Sequence, residues 1–580
     1  MTWYISDLGR YRSEREALGV LGQSVDWLVP GRWRVDSSGH LILDADIVIG
    51  TRVYPICLQY PELFPHTPPS VLPRGETGRW STHQFGPGGE LCLEYGPDTW
   101  TPDLIGVDVV ESAHRLLEGE NPSTGEKGIV ASRHVDSIGQ RLRGKYSRVL
   151  ITRNLEALLS TLPLRTPLTC TLATARHKEC IVHILHKMTL ADGTEWVDEG
   201  IPGELVEETS ERVVPLFRLE TTDALPPVSS LREFRAACVA MGMTINEVYA
   251  IILRGKKVHP YFLWEEDDTA TRMSVIGAQE EAQRLDSAHE VMKTKSMALI
   301  GCGSLGSKVA TMLARSGVGR FLLVDDDLLF PDNLLRHDLD WRDVGAHKAE
   351  ALARRLQLVN PAVDTRVWRA RLGGQESNES AEAVLKLIGA CDLIFDATAN
   401  PDILNLVSAV AGTTDKPVIW AEVFGGGIGG LIARCRPGIE PPPQYMRRAI
   451  ENWFGERGPA PIRSTRSYAT GGDGPPLIAD DADVSVIAAH AARFAIDILV
   501  GREPSLFPHS VYAIGLGVGS VFSEPFDTSP IDVGPPPVVA PAVELSPEET
   551  SAEIANIVNL YKDLANETSP SSADHQTPQE

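Results

Sequence analysis

The residues of this chain best suited to chemistry fall into two clusters. In the C-terminal half, Gly301-Cys302-Gly303-Ser304-Leu305-Gly306 follows a short apolar run directly and opens a helix-forming stretch. Glycines at this spacing permit a tight turn and close backbone approach to phosphate, whose charge the start of a helix favours. Asp325 closes the next apolar run, where a ribose-binding carboxylate is expected. To this point a hydride-transferring dehydrogenase fits as well as an enzyme that consumes ATP. The next stretch separates the two, because Asp327, Asn333, Arg336 and Lys348 crowd into it. Hydride transfer has no evident use for an added Arg and Lys. A site that splits ATP between its α- and β-phosphates does, since negative charge builds there in the transition state. Singly, Arg336 or Lys348 would more often be a solvated surface charge, and their joint spacing is what distinguishes them.

The second cluster lies near the N-terminus. Cys92 sits in His83-Gln84-Phe85-Gly86-Pro87-Gly88-Gly89-Glu90-Leu91-Cys92, a glycine-rich loop that leads on to Trp100 and Pro102. Acyl transfer through a thiol needs an accessible thiolate, and a polar loop suits that better than a core strand. By residue type alone a cysteine is more often a small buried apolar residue. Glu94 and Asp98 lie close by and could orient or deprotonate an incoming amine, although solvated surface acids are the commoner case.

The elements that must carry these residues differ between the two halves. Near the N-terminus, residues 6–20 suit an amphipathic helix, and the alternation through GRWRVDSSGHLILDADIVIG suits antiparallel strands turning at Ser37–Gly39. A Pro-rich passage follows, then a helical stretch over 103–118, and ENPSTGEKG reads as a boundary. From 149 to 290 we expect a small α+β module without evident chemistry, with CTLATARHKECIVHILHKMTL as strand and both LREFRAACVAMG and INEVYAIILRG as helix. From 291 to 525 short apolar strands alternate with helices, the pattern of a parallel, doubly wound sheet. The expected fold class is therefore α/β with an α+β N-terminal domain over 1–148, and 526–580 reads as a Pro-rich tail with one helix.

Bulk properties narrow the classes. At 580 residues several domains are expected. Composition is that of a soluble globular protein, and no apolar run is long enough to cross a bilayer. The net charge of -24 opposes a large interface with nucleic acid or anionic membrane, so neither is an expected partner. Eight cysteines without a CxxC pair indicate neither a disulfide framework nor a zinc site, and a reducing cytoplasm is the simplest setting.

Residues 296–522 resemble the adenylation domain of the ubiquitin-activating and ThiF/MoeB superfamily. The resemblance implies ATP over the loop of Gly301, Gly303 and Gly306, with ribose on Asp325 and triphosphate on Asn333, Arg336 and Lys348. It also implies Mg2+ on an acid of a D-x-T-D-N-like segment. Here that segment is Asp396-Ala397-Thr398-Ala399-Asn400, so the second acid is absent and Asp396 is the expected ligand. Pairing of two copies through this domain is implied as well. No cysteine lies in the crossover stretch SYATGGDGPPLIADDADVS, which leaves Cys391, Cys435 or a thiol elsewhere to receive the adenylate.

Residues 5–120 resemble the ubiquitin-conjugating fold, through YPELFPHTPPSVLP, His83, Gly89-x-Leu91-Cys92-Leu93 and Trp100-x-Pro102. Carried over, Cys92 is the thioester cysteine and His83 shapes its loop. The oxyanion-supporting Asn of the family's HPN motif is missing, and Gln84 or backbone N–H groups could replace it. This order of domains resembles the fused conjugation enzymes of bacterial CBASS anti-phage operons. The implied partner is a protein with an activatable C-terminus, either a cGAS-like nucleotidyltransferase or a ubiquitin-like protein, with a target amine as acceptor. Two other readings stay open: an adenylyltransferase for a sulfur carrier or small molecule, and a scaffold that has lost its chemistry.

Overall fold

The structure is a computed structural model that describes residues 2–75, 79–86, 88–96, 98–121, 128, 130, 137–207, 209–277, 286–373, 378–459, 479–537 and 545–567. Two compact units divide the chain, Met1–Gly144 and Lys145–Glu580.

In the first unit helix α1 (Leu8–Ser24) precedes a four-stranded antiparallel meander of β1 (Leu28–Val35), β2 (Leu41–Ile49), β3 (Arg52–Tyr60) and β4 (Ser70–Pro73). The expected turn forms because Asp36 accepts the backbone N–H groups of Ser38 and His40, while Gly39 takes φ +84°. A small hairpin of β5 (Gln84–Phe85) and β6 (Glu90–Leu91) then brings the chain to Cys92, and α2 (Gly106–Glu120) closes the unit.

Buried Glu14 ties these layers together. It accepts the Tyr60 hydroxyl at 2.8 Å, the Gly106 N–H at 2.8 Å and the Arg10 guanidinium at 3.0 Å. The cost of hiding its charge pushes its carboxyl up, and those bonds offset the cost. No side chain fits at Gly106, where a Cβ would lie 2.2 Å from the Tyr60 Oη. Gly106→Ala is expected to cost about 2–4 kcal/mol in urea unfolding, by overpacking and by breaking the Glu14 bonds.

The second unit begins with a mixed sheet, nine-stranded among the described residues, running from Ser147–Ile151 to Ser274–Gly277. Leu231–Ala240 is helical as expected, but Tyr249–Arg254, expected as helix, is a strand. It pairs parallel with Ser210–Leu219 and antiparallel with Lys257–Trp264, and its Ala250, Ile251, Ile252 and Leu253 are all buried. A short apolar run covered on both faces carries no period, so only its neighbours decide its conformation.

The remaining sheet is made from β7 (Ser296–Ile300), β8 (Arg320–Val324), β9 (Asp364–Trp368), β10 (Leu393–Asp396), β11 (Val418–Val423), β12 (Gly429–Cys435), β13 (Val511–Gly515) and β14 (Thr528–Pro530). Their order is β9-β8-β7-β10-β11-β12-β13-β14, parallel as far as β11 and antiparallel beyond it. The first strands are joined through α3 (Ser304–Arg315), α4 (Lys348–Val359) and α5 (Asn378–Gly389), and α6 (Pro401–Thr414) links β10 to β11. Later come α7 (Pro443–Arg457), α8 (Asp481–Val500) and, in the tail, α9 (Pro547–Glu567). From β7 the chain runs outward to β8 and β9, then crosses back to place β10 on the other side of β7. That reversal opens a crevice beyond the carboxyl ends of these two strands, where doubly wound sheets bind ligands.

Candidate functional site

The glycine loop lies in that crevice. Gly301 takes φ +89° and donates its N–H to the Val324 carbonyl at 2.9 Å. A Cβ at Gly306 would stand 2.0 Å from the Gly301 carbonyl oxygen, so only glycine lets helix α3 start this close to its strand. Gly303, by contrast, faces open space, with nothing within 4 Å of the position a Cβ would take. The loop thus offers a cradle that a side chain would fill, at the N-terminus of a 12-residue helix.

Asp325 follows β8 and braces the loop, its carboxylate accepting the Cys302 N–H at 2.6 Å and the Asp327 N–H at 2.8 Å. Burial pushes its carboxyl up. Asp327 in turn pairs with Lys348, the nearly buried first residue of α4, whose own N–H reaches the Asp327 carbonyl at 2.9 Å. Between them, Asn333 accepts the Phe330 N–H at 2.9 Å within the 3-10 turn Pro331–Leu335, and half-buried Arg336 follows. The fold therefore gathers the loop, Asp325, Asp327 and Lys348 by direct bonds, with Asn333 and Arg336 on the connection from β8 to α4.

Asp396 ends β10 on the other side of the crevice. It is 2% exposed and accepts the Thr398 N–H at 2.9 Å and the Thr398 hydroxyl at 2.6 Å. Burial, with Glu422 adding to it, pushes the carboxyl up to about 6. A small cavity of about 40 Å³ beside it is lined by Ala399, Asn400, Trp420, Glu422 and Arg447 among others. Sequence reasoning missed Glu422 and Arg447, because one lies in a run legible only as strand and the other on a helix with no motif. Ala399, where the resemblance implies an acid, holds φ +52°.

A buried carboxyl with a raised pKa sets a sign for pH. The neutral form fits the fold better, so the stabilisation is fully present below about pH 4 and is lost as pH rises through about 6. Since one unit corresponds to about 1.4 kcal/mol, ionised Asp396 weakens the fold by roughly 3 kcal/mol at pH 8. Asp396→Asn is therefore expected to raise the thermal midpoint at pH 8 and to gain little at pH 4, a difference that parallel melts at the two pH values measure.

In the N-terminal unit Cys92 is the one half-buried cysteine; the other seven, all among the described residues, are buried. Desolvation pushes the thiols of Cys391 and Cys435 up to about 11 and about 12, which disfavours the nucleophilic thiolate at either. The Cys92 N–H donates to the His83 carbonyl at 2.7 Å. His83 is buried and donates from Nε2 to the Val130 carbonyl at 2.8 Å, with Glu120 at 3.7 Å. Gln84 spends its side chain on the loop. Its carbonyl accepts the N–H groups of Trp80 and Ser81 at 2.6 and 3.1 Å, and its amide donates to the Gly89 carbonyl at 2.9 Å. It thus braces the loop with its carbonyl and one of its two amide N–H groups. Cys92 borders a cavity of about 140 Å³ shared with Ser112 and Arg115, and a groove of about 900 Å³ along Leu63, Pro69 and Phe85. Glu94 pairs with Arg115 at 2.5 Å.

The stretch around the Gly301 loop is also similar to known proteins. Residues 276–440 match the ThiF family profile. This region is a ThiF domain. Its sheet is the Rossmann-like, ThiF/MoeB-type arrangement that the resemblance implied, and the parallel part is what the strand alternation implied. The protein y4oA of Sinorhizobium fredii, described as uncharacterized, is 28% identical over 219 residues, 36% of this chain and 36% of that protein. The adenylyltransferase and sulfurtransferase UBA4 of Debaryomyces hansenii is 31% identical over 175 residues, 30% of this chain and 37% of that one. The ATP-dependent ubiquitin transferase-like protein Cap2 of Pseudomonas aeruginosa is 28% identical over 156 residues, 26% and 27% of the two chains. The chain thus spans about a third of the length of the curated relatives it matches. Most of the crossover stretch, residues 467–478, lies outside the described residues, as does most of the boundary stretch ENPSTGEKG. No described helix is long and apolar enough to cross a membrane.

Proposed function

We propose that the ThiF domain adenylates a protein C-terminus and that Cys92 carries the activated acyl group to an amine. In the first step a carboxylate oxygen of the protein substrate attacks the α-phosphorus of ATP, and the bond to the β-phosphate breaks with loss of pyrophosphate. The Cys92 thiolate then attacks the acyl carbon and AMP leaves. Finally the amine, a lysine of a target protein, attacks the thioester and releases the thiol. Domain fusion raises the effective concentration of the second site for the first.

The observation that carries the reading is the Gly301–Gly306 loop at the sheet's switch point, braced by Asp325 and followed by the Lys348–Asp327 pair. Lys348 and Arg336 supply positive charge for the triphosphate, and the N–H groups opening α3 supply dipoles. The oxygen donors Asp396 and Glu422 in the neighbouring cavity fit Mg2+, which prefers carboxylate and keeps several waters. Bound there with ATP, it would neutralise phosphate charge. Names of relatives support the reading only in part: Cap2 is called an ATP-dependent ubiquitin transferase-like protein. We extend it to a homodimer, with exposed Phe330, Leu335 and Trp341 beside the site in sequence as candidate contacts.

The test is ATP–pyrophosphate exchange with the protein encoded beside this chain, intact or lacking its last residues, followed by non-reducing gels. Exchange that needs the intact C-terminus supports adenylation of a protein. The name of UBA4 favours a second reading, in which the chain adenylates a sulfur carrier and the Cys92 domain takes no part. Full exchange with no thiol-sensitive adduct would select it.

A further inference from the structure

His337 belongs to no motif, yet it is among the most tightly held side chains of the crevice. It is 7% exposed, next to Arg336 on the connection between β8 and α4. The Leu339 N–H donates to its Nδ1 at 3.2 Å, so the proton resides on Nε2, which donates to the Cys302 carbonyl at 2.8 Å. Cys302 is the second residue of the glycine loop. Its N–H is already taken by Asp325 at 2.6 Å. The one residue between Gly301 and Gly303 is therefore gripped at both ends, by β8's carboxylate and by this imidazole. Asp338, next in sequence, extends the grip, accepting the Thr311 hydroxyl of α3 at 2.7 Å.

We propose that His337 is a positioning residue for nucleotide binding: its neutral imidazole ties the glycine loop to the segment bearing Asn333 and Arg336, so that both halves of the phosphate site hold one geometry. The proposal rests on the adenylation reading for its biological purpose, but not for its test. Only a ring that donates at one nitrogen and accepts at the other can make both bonds. Burial, chiefly, keeps it neutral and pushes its pKa down to about 4. Lys348 and Lys308 add to that effect, while the Cys302 carbonyl and Asp338 oppose it. Glutamine also offers a donor and an acceptor on one side chain, and does not titrate.

The experiment is calorimetric titration of the full chain with α,β-methylene-ATP and Mg2+, using wild type, His337→Gln and His337→Ala, with thermal melts of each. The expected result is a Kd raised about tenfold in His337→Ala and restored to within about threefold in His337→Gln. In exchange assays the change should fall on KM for ATP more than on kcat. A merely structural role predicts equal binding once each variant is measured folded, below its melting midpoint. Binding by folded His337→Ala within twofold of wild type overturns the proposal, and so does failure of wild type to bind. Binding without exchange, whatever protein is added, sinks the adenylation reading and leaves the positioning role standing.

Discussion

Replacing Cys92 with alanine is expected to abolish the ATP-dependent, thiol-sensitive adduct while leaving ATP–pyrophosphate exchange at its wild-type rate. Chemistry and burial give the same reason. Of the eight thiols, the seven others are buried, and Cys391 and Cys435 carry thiols pushed up to about 11 and about 12. Removing Cys92 leaves no half-buried thiol to take the acyl group, so adduct should fall below detection. The Gly301 loop proposed for adenylation lies in the other unit of the chain, so exchange should proceed unaffected. Non-reducing gels with a radiolabelled substrate measure the adduct, and isotope exchange measures the first step. An adduct that persists in Cys92→Ala would move the thioester to another cysteine.

Lys348→Ala is expected to lower exchange by about 100- to 1000-fold, the scale of one donor aimed at developing charge in a water-poor site. Lys348 is 8% exposed, and Asp327 holds its ammonium group. A lysine kept this far from water would ordinarily cost the fold, so removing its charge should not by itself unfold the protein. Asp327 lies on the exposed side of the pair and can remain solvated when its partner is lost. Lys348→Arg should recover little, because a planar fork does not replace a compact point charge in a confined position. The check is the rate of exchange at saturating ATP, together with a melting midpoint near that of wild type. A Lys348→Ala protein that exchanges within a few-fold of wild type would remove this residue from the phosphate site.

Much of the ThiF domain could be read before any coordinates. The apolar run before Gly301, the glycine spacing and the acid at Asp325 are short-range features, and each acts through backbone geometry that its own sequence dictates. The loop formed as expected because no other residue fits at Gly306. Tyr249–Arg254 was misread for the opposite reason. Its conformation is imposed by flanking strands, which a local window does not contain.

The sequence by itself determined the identity of the chemical groups: a glycine turn opening a helix, Arg336 and Lys348 after it, and a thiol in a glycine-rich loop. Those signals depend on residue type and near spacing, which the chain carries in one dimension. Only the tertiary structure decided which groups are committed and to what. It sets Glu422 beside Asp396 from a different strand and puts His337 under the Cys302 carbonyl. Each arises from contacts between segments far apart in the chain or from burial, and desolvation, which sets both the cost of an unpaired polar group and the pKa of a buried one, exists only once the chain has folded.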